Sequence, residues 1–142
     1  MSKLETVLYS TEVSAAGDGR DGKVKSIDGL LDVELSRPVE MGGDGKNTNP
    51  EQLFGAGYAA CFLSALQLIA SNEEIPFPAD TTVVAAVTLG TTIDSYGLAV
   101  QLKINLPHME RSAAEDLIQK AHVICPYSNA IRNNVVVNLS AV

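Results

Sequence analysis

Hydrophobic and polar residues alternate along several stretches of this chain, and alternation is typical of strands with one buried face. The strictest example places an aliphatic residue at every second position from Leu98 to Leu106. Alternation or β-branched composition predicts strands over residues 3–13, 23–27, 30–35, 81–93, 98–106 and 135–139. The dipeptide Asp28-Gly29 between the second and third strands is typical of a tight hairpin turn.

Two other stretches have helical patterns. In the first, Asn49-Pro50 supplies an N-cap and a proline suited to the first helical position, and residues 53–69 are apolar on nearly every side. The second helix is predicted from Ser112 to Cys125, with Ser112 and Glu115 forming a capping box. The order βββ-α-ββ-α-β predicts an α+β fold with mostly antiparallel sheets and a buried central helix.

Composition narrows the possible functions. At 142 residues, we expect one domain over 1–142. The net charge of −7 argues against nucleic acid and against an anionic membrane surface as partners. The run 53–72 reaches the length of a membrane span, but its glycine, alanine and serine content favours a buried helix. Without a secretory signal pattern, we expect a cytoplasmic location, where stable disulfides are rare.

The chain contains two cysteines, Cys61 inside the apolar helix and Cys125 where the second helical pattern meets Pro126. In a reducing compartment, such a pair indicates a peroxidatic and a resolving thiol rather than a structural disulfide. The alternative is a pair of buried thiols that pack as small hydrophobic residues. A zinc site made by both cysteines with His108 and His122 lacks the usual ligand spacing, and we expect His122 on a solvated helix face.

Three segments, taken together, resemble a known family. They are Gly19-Arg20-Asp21-Gly22, the run 48–62 that contains Asn-Pro-Glu-Gln-Leu and Cys61, and the run 121–130 that contains Cys-Pro-Tyr-Ser-Asn-Ala. In this order and at this separation they resemble the organic hydroperoxide resistance (Ohr) proteins of the OsmC/Ohr family. The resemblance covers essentially the whole chain, and the segment at Cys125 is more similar to Ohr proper than to the OsmC branch.

The resemblance implies a thiol peroxidase that reduces organic and lipid hydroperoxides without a metal, a flavin or another cofactor. By matching positions, Cys61 is the peroxidatic thiol, Cys125 is the resolving thiol, and Arg20 and Glu51 are the polar pair that activates the thiolate. The resemblance also implies an intertwined homodimer with an OsmC/Ohr-like fold. Dihydrolipoamide or a lipoylated protein would reduce the disulfide.

The residues leave some alternatives open. By spacing alone, Arg20 could be a solvated turn residue and Glu51 a complement to the helix dipole. Glu51 and Cys61 lie ten residues apart, about 15 Å along a straight helix. Either an arginine held by Glu51 bridges most of this gap, or the chain bends, or Arg20 and Glu51 of one subunit serve Cys61 of the partner, which is the simplest hypothesis. Two alternative functions also fit the sequence. The protein could be an OsmC-like peroxidase of broader substrate range, or a non-enzymatic stress-related binding protein with inert cysteines.

Overall fold

The computed structural model describes residues 3–142. These residues divide into two compact units, one that ends at Pro50 and one that spans Glu51–Val142. The first unit is built on short strands and turns, whereas the second contains three α-helices and a longer sheet. An α+β fold with these sheets and helices is what the sequence predicted.

The first unit contains a three-stranded antiparallel sheet of order β1-β2-β3. Its strands are β1 (Val13–Ala16), β2 (Lys23–Ser26) and β3 (Asp32–Glu34). The hairpin predicted between β2 and β3 is confirmed: Gly29 has φ +74°, and the Asp28 carboxylate accepts a hydrogen bond from the Leu30 N–H at 3.0 Å. Glycine reaches this backbone conformation without a steric penalty.

The strand predicted over residues 3–13 is wrong except at its last residue. The apolar residues of this stretch remain in solvent, with Leu8 95% exposed. Alternation alone does not make a strand, because the backbone also needs a partner with which to form a ladder of hydrogen bonds. The ladder with β2 begins at Val13, opposite Ser26, next to a single hydrogen bond from the Ile27 N–H to the Glu12 carbonyl at 3.0 Å.

The turn before β2 contains Arg20, within a short 3₁₀ helix over Gly19–Asp21. Asp21 accepts hydrogen bonds from the Arg37 backbone N–H at 2.8 Å and from its Nε at 2.6 Å. These contacts with Arg37 hold the pKa of the Asp21 carboxyl below its ordinary value. The turn is therefore tied to the loop that follows β3.

The second unit contains a sheet of order β4-β5-β6 and three helices. The elements are α1 (Pro50–Asn72), β4 (Thr82–Thr91), β5 (Tyr96–Asn105), α2 (Arg111–Ile124), α3 (Pro126–Ile131) and β6 (Val136–Ala141). Strands β4 and β5 are antiparallel, whereas β6 runs parallel to β5. A parallel pair needs a long crossover connection, which α2 and α3 supply here.

Helix α1 contributes one buried face to the core of the second unit. Tyr58, Phe62 and Leu66 are fully buried, and the core that they share includes Leu102 of β5 and Leu117 of α2. By length and hydropathy alone, α1 would pass as a membrane span, but the core helix of a soluble protein passes the same test. The shared core favours the second interpretation.

The capping box predicted for α2 is wrong. The N-cap is Glu110, whose carboxylate accepts hydrogen bonds from the N–H groups of Ser112 at 3.0 Å and Ala113 at 3.2 Å. Glu115 instead pairs with Arg111 at 2.9 Å, one turn apart on the helix surface. The helix therefore starts one residue earlier than predicted, because a glutamate performs the role that the sequence pattern assigned to Ser112.

The short helix α3 was not predicted. Cys125 ends α2 in an extended conformation, with φ −60° and ψ 122°, and Pro126 then begins α3. The residue before a proline is pushed out of helical geometry, while proline itself suits a first helical position. The proline therefore interrupts the helical path and restarts it in a new direction.

If Glu110 is the N-cap, Glu110→Ala should lower the free energy of unfolding by more than the loss of an exposed ion pair does, because two N–H groups at the start of α2 lose their acceptor. Glu115→Ala is the matched control and should cost at most about 0.5 kcal/mol, as expected for an exposed ion pair. Urea unfolding measures both. A larger loss in the Glu115 variant would contradict this assignment.

Candidate active site

The two cysteines meet inside the second unit. Cys61 lies near the middle of α1, Cys125 lies at the junction of α2 and α3, and their Sγ atoms are 3.8 Å apart. Both are free thiols; Cys125 is fully buried and Cys61 is half-buried. A disulfide has an S–S distance of about 2.0 Å, so a small movement would join the two sulfurs.

Backbone hydrogen bonds hold Cys125 from both sides. Its N–H donates to the Ala121 carbonyl of α2 at 2.9 Å, and its carbonyl accepts from the Asn129 N–H of α3 at 2.9 Å. Cys61 is fixed by the helix that carries it, since Tyr58 and Phe62 on that helix are fully buried. Two independently packed segments therefore present the two thiols to each other.

Four aromatic rings form a wall beside the thiols. Tyr58 stacks on Tyr127 with ring centroids 5.8 Å apart, and Phe54 forms a T-shaped contact with each of these rings. Phe62 makes an edge contact with Tyr58 on the other side. Gly57 allows this arrangement, because a Cβ at that position would lie 2.6 Å from the Tyr127 hydroxyl oxygen.

Two opposing effects act on the Cys61 thiol. Burial raises the pKa of Cys61, and the neighbouring Cys125 raises it further. A hydrogen bond from the Tyr127 backbone N–H lowers it in part, because that bond favours the charged sulfur. Burial dominates, so the contacts within this unit keep Cys61 as a neutral thiol at neutral pH.

A buried polar network joins Ser128, Tyr58 and His122; Ser128 and His122 lie three residues after and three residues before Cys125 in the sequence. Ser128 Oγ lies 2.8 Å from the Tyr58 hydroxyl and 2.9 Å from His122 Nδ1, and both Tyr58 and Ser128 are fully buried. Burial raises the pKa of Tyr58, which keeps its hydroxyl protonated. Sequence inspection missed the network, because Tyr58 and Ser128 are 70 residues apart.

The expectation that His122 lies on a solvated face is wrong. The His122 side chain is half-buried and hydrogen-bonded to Ser128. The backbone carbonyl of His122 accepts a hydrogen bond from the Arg132 guanidinium at 2.7 Å. Burial lowers the pKa of His122, and the charge of Arg132 lowers it further, so its imidazole is neutral at pH 7. Within residues 3–142, no cluster of three or more histidine, cysteine, aspartate or glutamate side chains is arranged to hold a metal ion.

The other two predicted site residues lie elsewhere along the chain. Arg20 is half-buried in the 3₁₀ turn Gly19–Asp21 of the first unit, and Glu51 is in the first turn of α1. Their action on the thiolate stays a prediction.

Comparison with known proteins agrees with this architecture. The family model described as OsmC-like protein matches residues 43–140. An organic hydroperoxide resistance protein of Xanthomonas axonopodis pv. citri is 43% identical over 141 residues, 99% of this chain and 99% of its own. Organic hydroperoxide resistance protein OhrA of Bacillus subtilis is 41% identical over 134 residues, 93% of this chain and 94% of its own. The chain belongs to the OsmC/Ohr family.

Solved structures of this family extend the likeness to three dimensions. The crystal structure of an organic hydroperoxide resistance protein OsmC from Legionella pneumophila superimposes with a TM-score of 0.90 at 46% identity. The alignment covers 96% of this chain and 98% of that one. The family resemblance and the fold expected from it are therefore confirmed.

The lowered pKa of His122 predicts a pH effect on stability. The folded protein disfavours the protonated form of His122. The contribution of neutral His122 to the free energy of unfolding is therefore present above the unfolded pKa of about 6.5 and is lost as the pH falls below that value. The free energy of unfolding, measured in urea, should therefore fall between pH 7.5 and pH 5.5.

His122→Asn should flatten this fall, because an amide can bond Ser128 without titrating. His108→Asn makes the same exchange at an exposed histidine and is the matched control. An undiminished fall in the His122 variant would refute the assignment.

Proposed function

We propose that this protein is a cysteine-based peroxidase that reduces organic hydroperoxides to alcohols. The observation that supports it best is the 3.8 Å contact between a half-buried and a fully buried free thiol. The names of the relatives, organic hydroperoxide resistance proteins, supply the substrate class. A cytoplasmic location suits this chemistry, because the thiols must be returned to the reduced state after each cycle.

The first step takes place at Cys61, the more accessible of the two thiols. Its thiolate attacks one peroxide oxygen, the O–O bond breaks, and the other oxygen leaves as an alkoxide that takes up a proton to become the alcohol. Sulfur is oxidised to the sulfenic acid while the hydroperoxide is reduced. Phe54 and Tyr127, the two rings of the aromatic wall that are not fully buried, suit an alkyl or acyl substituent better than they suit hydrogen peroxide.

The second step joins the two cysteines. The Cys125 thiol attacks the sulfur of the Cys61 sulfenic acid, an S–S bond forms, and the hydroxyl leaves as water with the thiol proton. A dihydrolipoyl dithiol then reduces this disulfide by exchange and becomes the cyclic lipoyl disulfide, which returns both thiols to the protein. No metal or organic cofactor takes part in either step.

The raised pKa of Cys61 creates a need for a cation. In this proposal, the guanidinium of Arg20 stabilises the thiolate and the departing alkoxide, because arginine keeps its charge in any environment. Glu51 orients the guanidinium through a bidentate contact. Since Glu51 lies about 15 Å from Cys61 along α1, the pair is proposed to serve the thiol of a partner subunit.

An intertwined homodimer is part of the same proposal. The single chain exposes large apolar side chains in both units, including Leu8 at 95%, Leu30 at 90%, Leu68 at 54% and Val84 at 55%. Monomeric soluble proteins rarely expose large contiguous apolar patches, and in this proposal a second copy of the chain covers these side chains. A monomeric variant that keeps full activity would exclude catalysis across subunits.

The decisive experiment is a peroxidase assay with cumene hydroperoxide, using dihydrolipoamide or thioredoxin as the electron donor. We expect turnover with dihydrolipoamide and little with thioredoxin. We also expect a slower rate with hydrogen peroxide, whereas equal rates would favour an OsmC-like peroxidase of broader range. A wild-type Cys61 that is not oxidised by the hydroperoxide would instead indicate a binding protein with inert thiols.

Substitution of each cysteine by serine should affect turnover in this assay differently. Cys61→Ser should abolish turnover, because a hydroxyl is far less acidic and nucleophilic than a thiol. Cys125→Ser should consume about one hydroperoxide per subunit and then stall, because the sulfenic acid has no resolving partner. Continued lipoyl-driven cycling in the Cys125 variant at the wild-type rate would show that Cys125 is structural.

Arg20→Ala should raise the pKa of Cys61 above its wild-type value, because burial then acts without a compensating cation. Arg20→Lys should restore little activity, because an ammonium cannot form the planar contact with Glu51. Arg111→Ala, which removes an exposed cation at the start of α2, is the control and should change neither property. The pH dependence of Cys61 alkylation measures the pKa, and an unchanged profile in Arg20→Ala would refute this role.

A further inference from the structure

One buried hydroxyl connects three helices beside the thiols. Ser128 lies in α3, and its Oγ contacts the Tyr58 hydroxyl of α1 at 2.8 Å and His122 Nδ1 of α2 at 2.9 Å. Its side chain is fully buried, as is that of Tyr58. Ser128 also lies only three residues after Cys125, within the segment that presents this thiol to Cys61.

We propose that Ser128 is a positioning residue, which ties the segment Cys125–Ser128 to α1 and thereby holds the Cys125 sulfur against Cys61. The inference rests on the proposed function, to which it adds a residue for the disulfide-forming step. In this role, Ser128 acts through the backbone of the segment that it ends, by way of its contacts with Tyr58 and His122.

The physical basis is the cost of leaving a buried polar group without a partner. A hydroxyl can donate one hydrogen bond and accept others, so Ser128 satisfies Tyr58 and His122 at the same time. If the segment moved away from α1, the buried Tyr58 hydroxyl would lose this partner and be left unsatisfied, which is unfavourable. The network therefore penalises the movements that would separate the two sulfurs.

Tyr58 reinforces the same restraint. Its ring stacks on Tyr127, and the Tyr127 backbone N–H donates to the Cys61 sulfur. Tyr58 of α1 thus contacts two successive residues of α3: it stacks on Tyr127 and forms a hydrogen bond with Ser128. Loss of the Ser128 hydroxyl should loosen both the approach of Cys125 and the N–H contact to Cys61.

The test measures the Cys61–Cys125 disulfide at equilibrium with reduced and oxidised glutathione, without any hydroperoxide. In Ser128→Ala, the constant for disulfide formation should fall about tenfold, which is ~30 mV for a two-electron couple. The pKa of Cys61, measured by alkylation, should rise in the same variant. Thr81→Val is the matched control, because it removes a buried hydroxyl that bonds the Pro78 carbonyl instead of a site residue.

A second variant separates positioning from general stability. Tyr58→Phe keeps the ring and removes the hydroxyl, so it should also lower the disulfide constant. The double variant Tyr58→Phe with Ser128→Ala should recover stability, because no buried Tyr58 hydroxyl is left unpaired, but its disulfide constant should stay low. A purely structural role for Ser128 would restore both.

Three outcomes would overturn the proposal: a wild-type disulfide constant in folded Ser128→Ala, an equal fall in Thr81→Val, or recovery of the constant in the double variant. If Ser128→Ala does not fold, a wild-type constant in Tyr58→Phe has the same force. Failure of the peroxidase proposal is distinguishable, because wild-type protein would then form the disulfide with glutathione but not reduce cumene hydroperoxide. A wild-type protein that forms no such disulfide would refute both.

Discussion

The burial of Cys61 is the constraint on which the rest of this structure depends. A helix that contributes one face to the core of the second unit also carries the more accessible thiol, so the packing that stabilises the fold opposes ionisation of that thiol. A reactive thiol at this position needs donors and charge brought to it by other segments. The Tyr127 N–H is one such donor, and in the proposed mechanism Arg20 supplies the charge.

The break between α2 and α3 solves a second problem, which is how a fully buried thiol can face another thiol on a different helix. In an uninterrupted helix, the direction of the Cys125 side chain would be set by helical geometry alone. Pro126 instead forces an extended backbone at Cys125, and the chain restarts as a short helix. Local chain stiffness and long-range packing together hold the two sulfurs 3.8 Å apart.

Local rules predicted much of the fold because local physics determines those parts. The hairpin at Asp28-Gly29 and the strand over Tyr96–Asn105 follow from turn chemistry and alternation, and both are present. The stretch 3–12 shows the limit, since its alternation matches no buried face in the single chain. The cap at Glu110 was missed because its longer carboxylate reaches the N–H groups that the pattern assigned to Ser112.

The candidate site likewise has parts that local sequence patterns identify and parts that depend on contacts between distant residues. Sequence motifs named both cysteines, but the contact between Tyr58 and Ser128 spans 70 residues and has no local signature. The proposed chemistry has a similar division: the thiols belong to Glu51–Val142, whereas Arg20 belongs to the unit that ends at Pro50. In the proposed mechanism, ionisation of Cys61 therefore depends on a residue that no local pattern around either cysteine identifies.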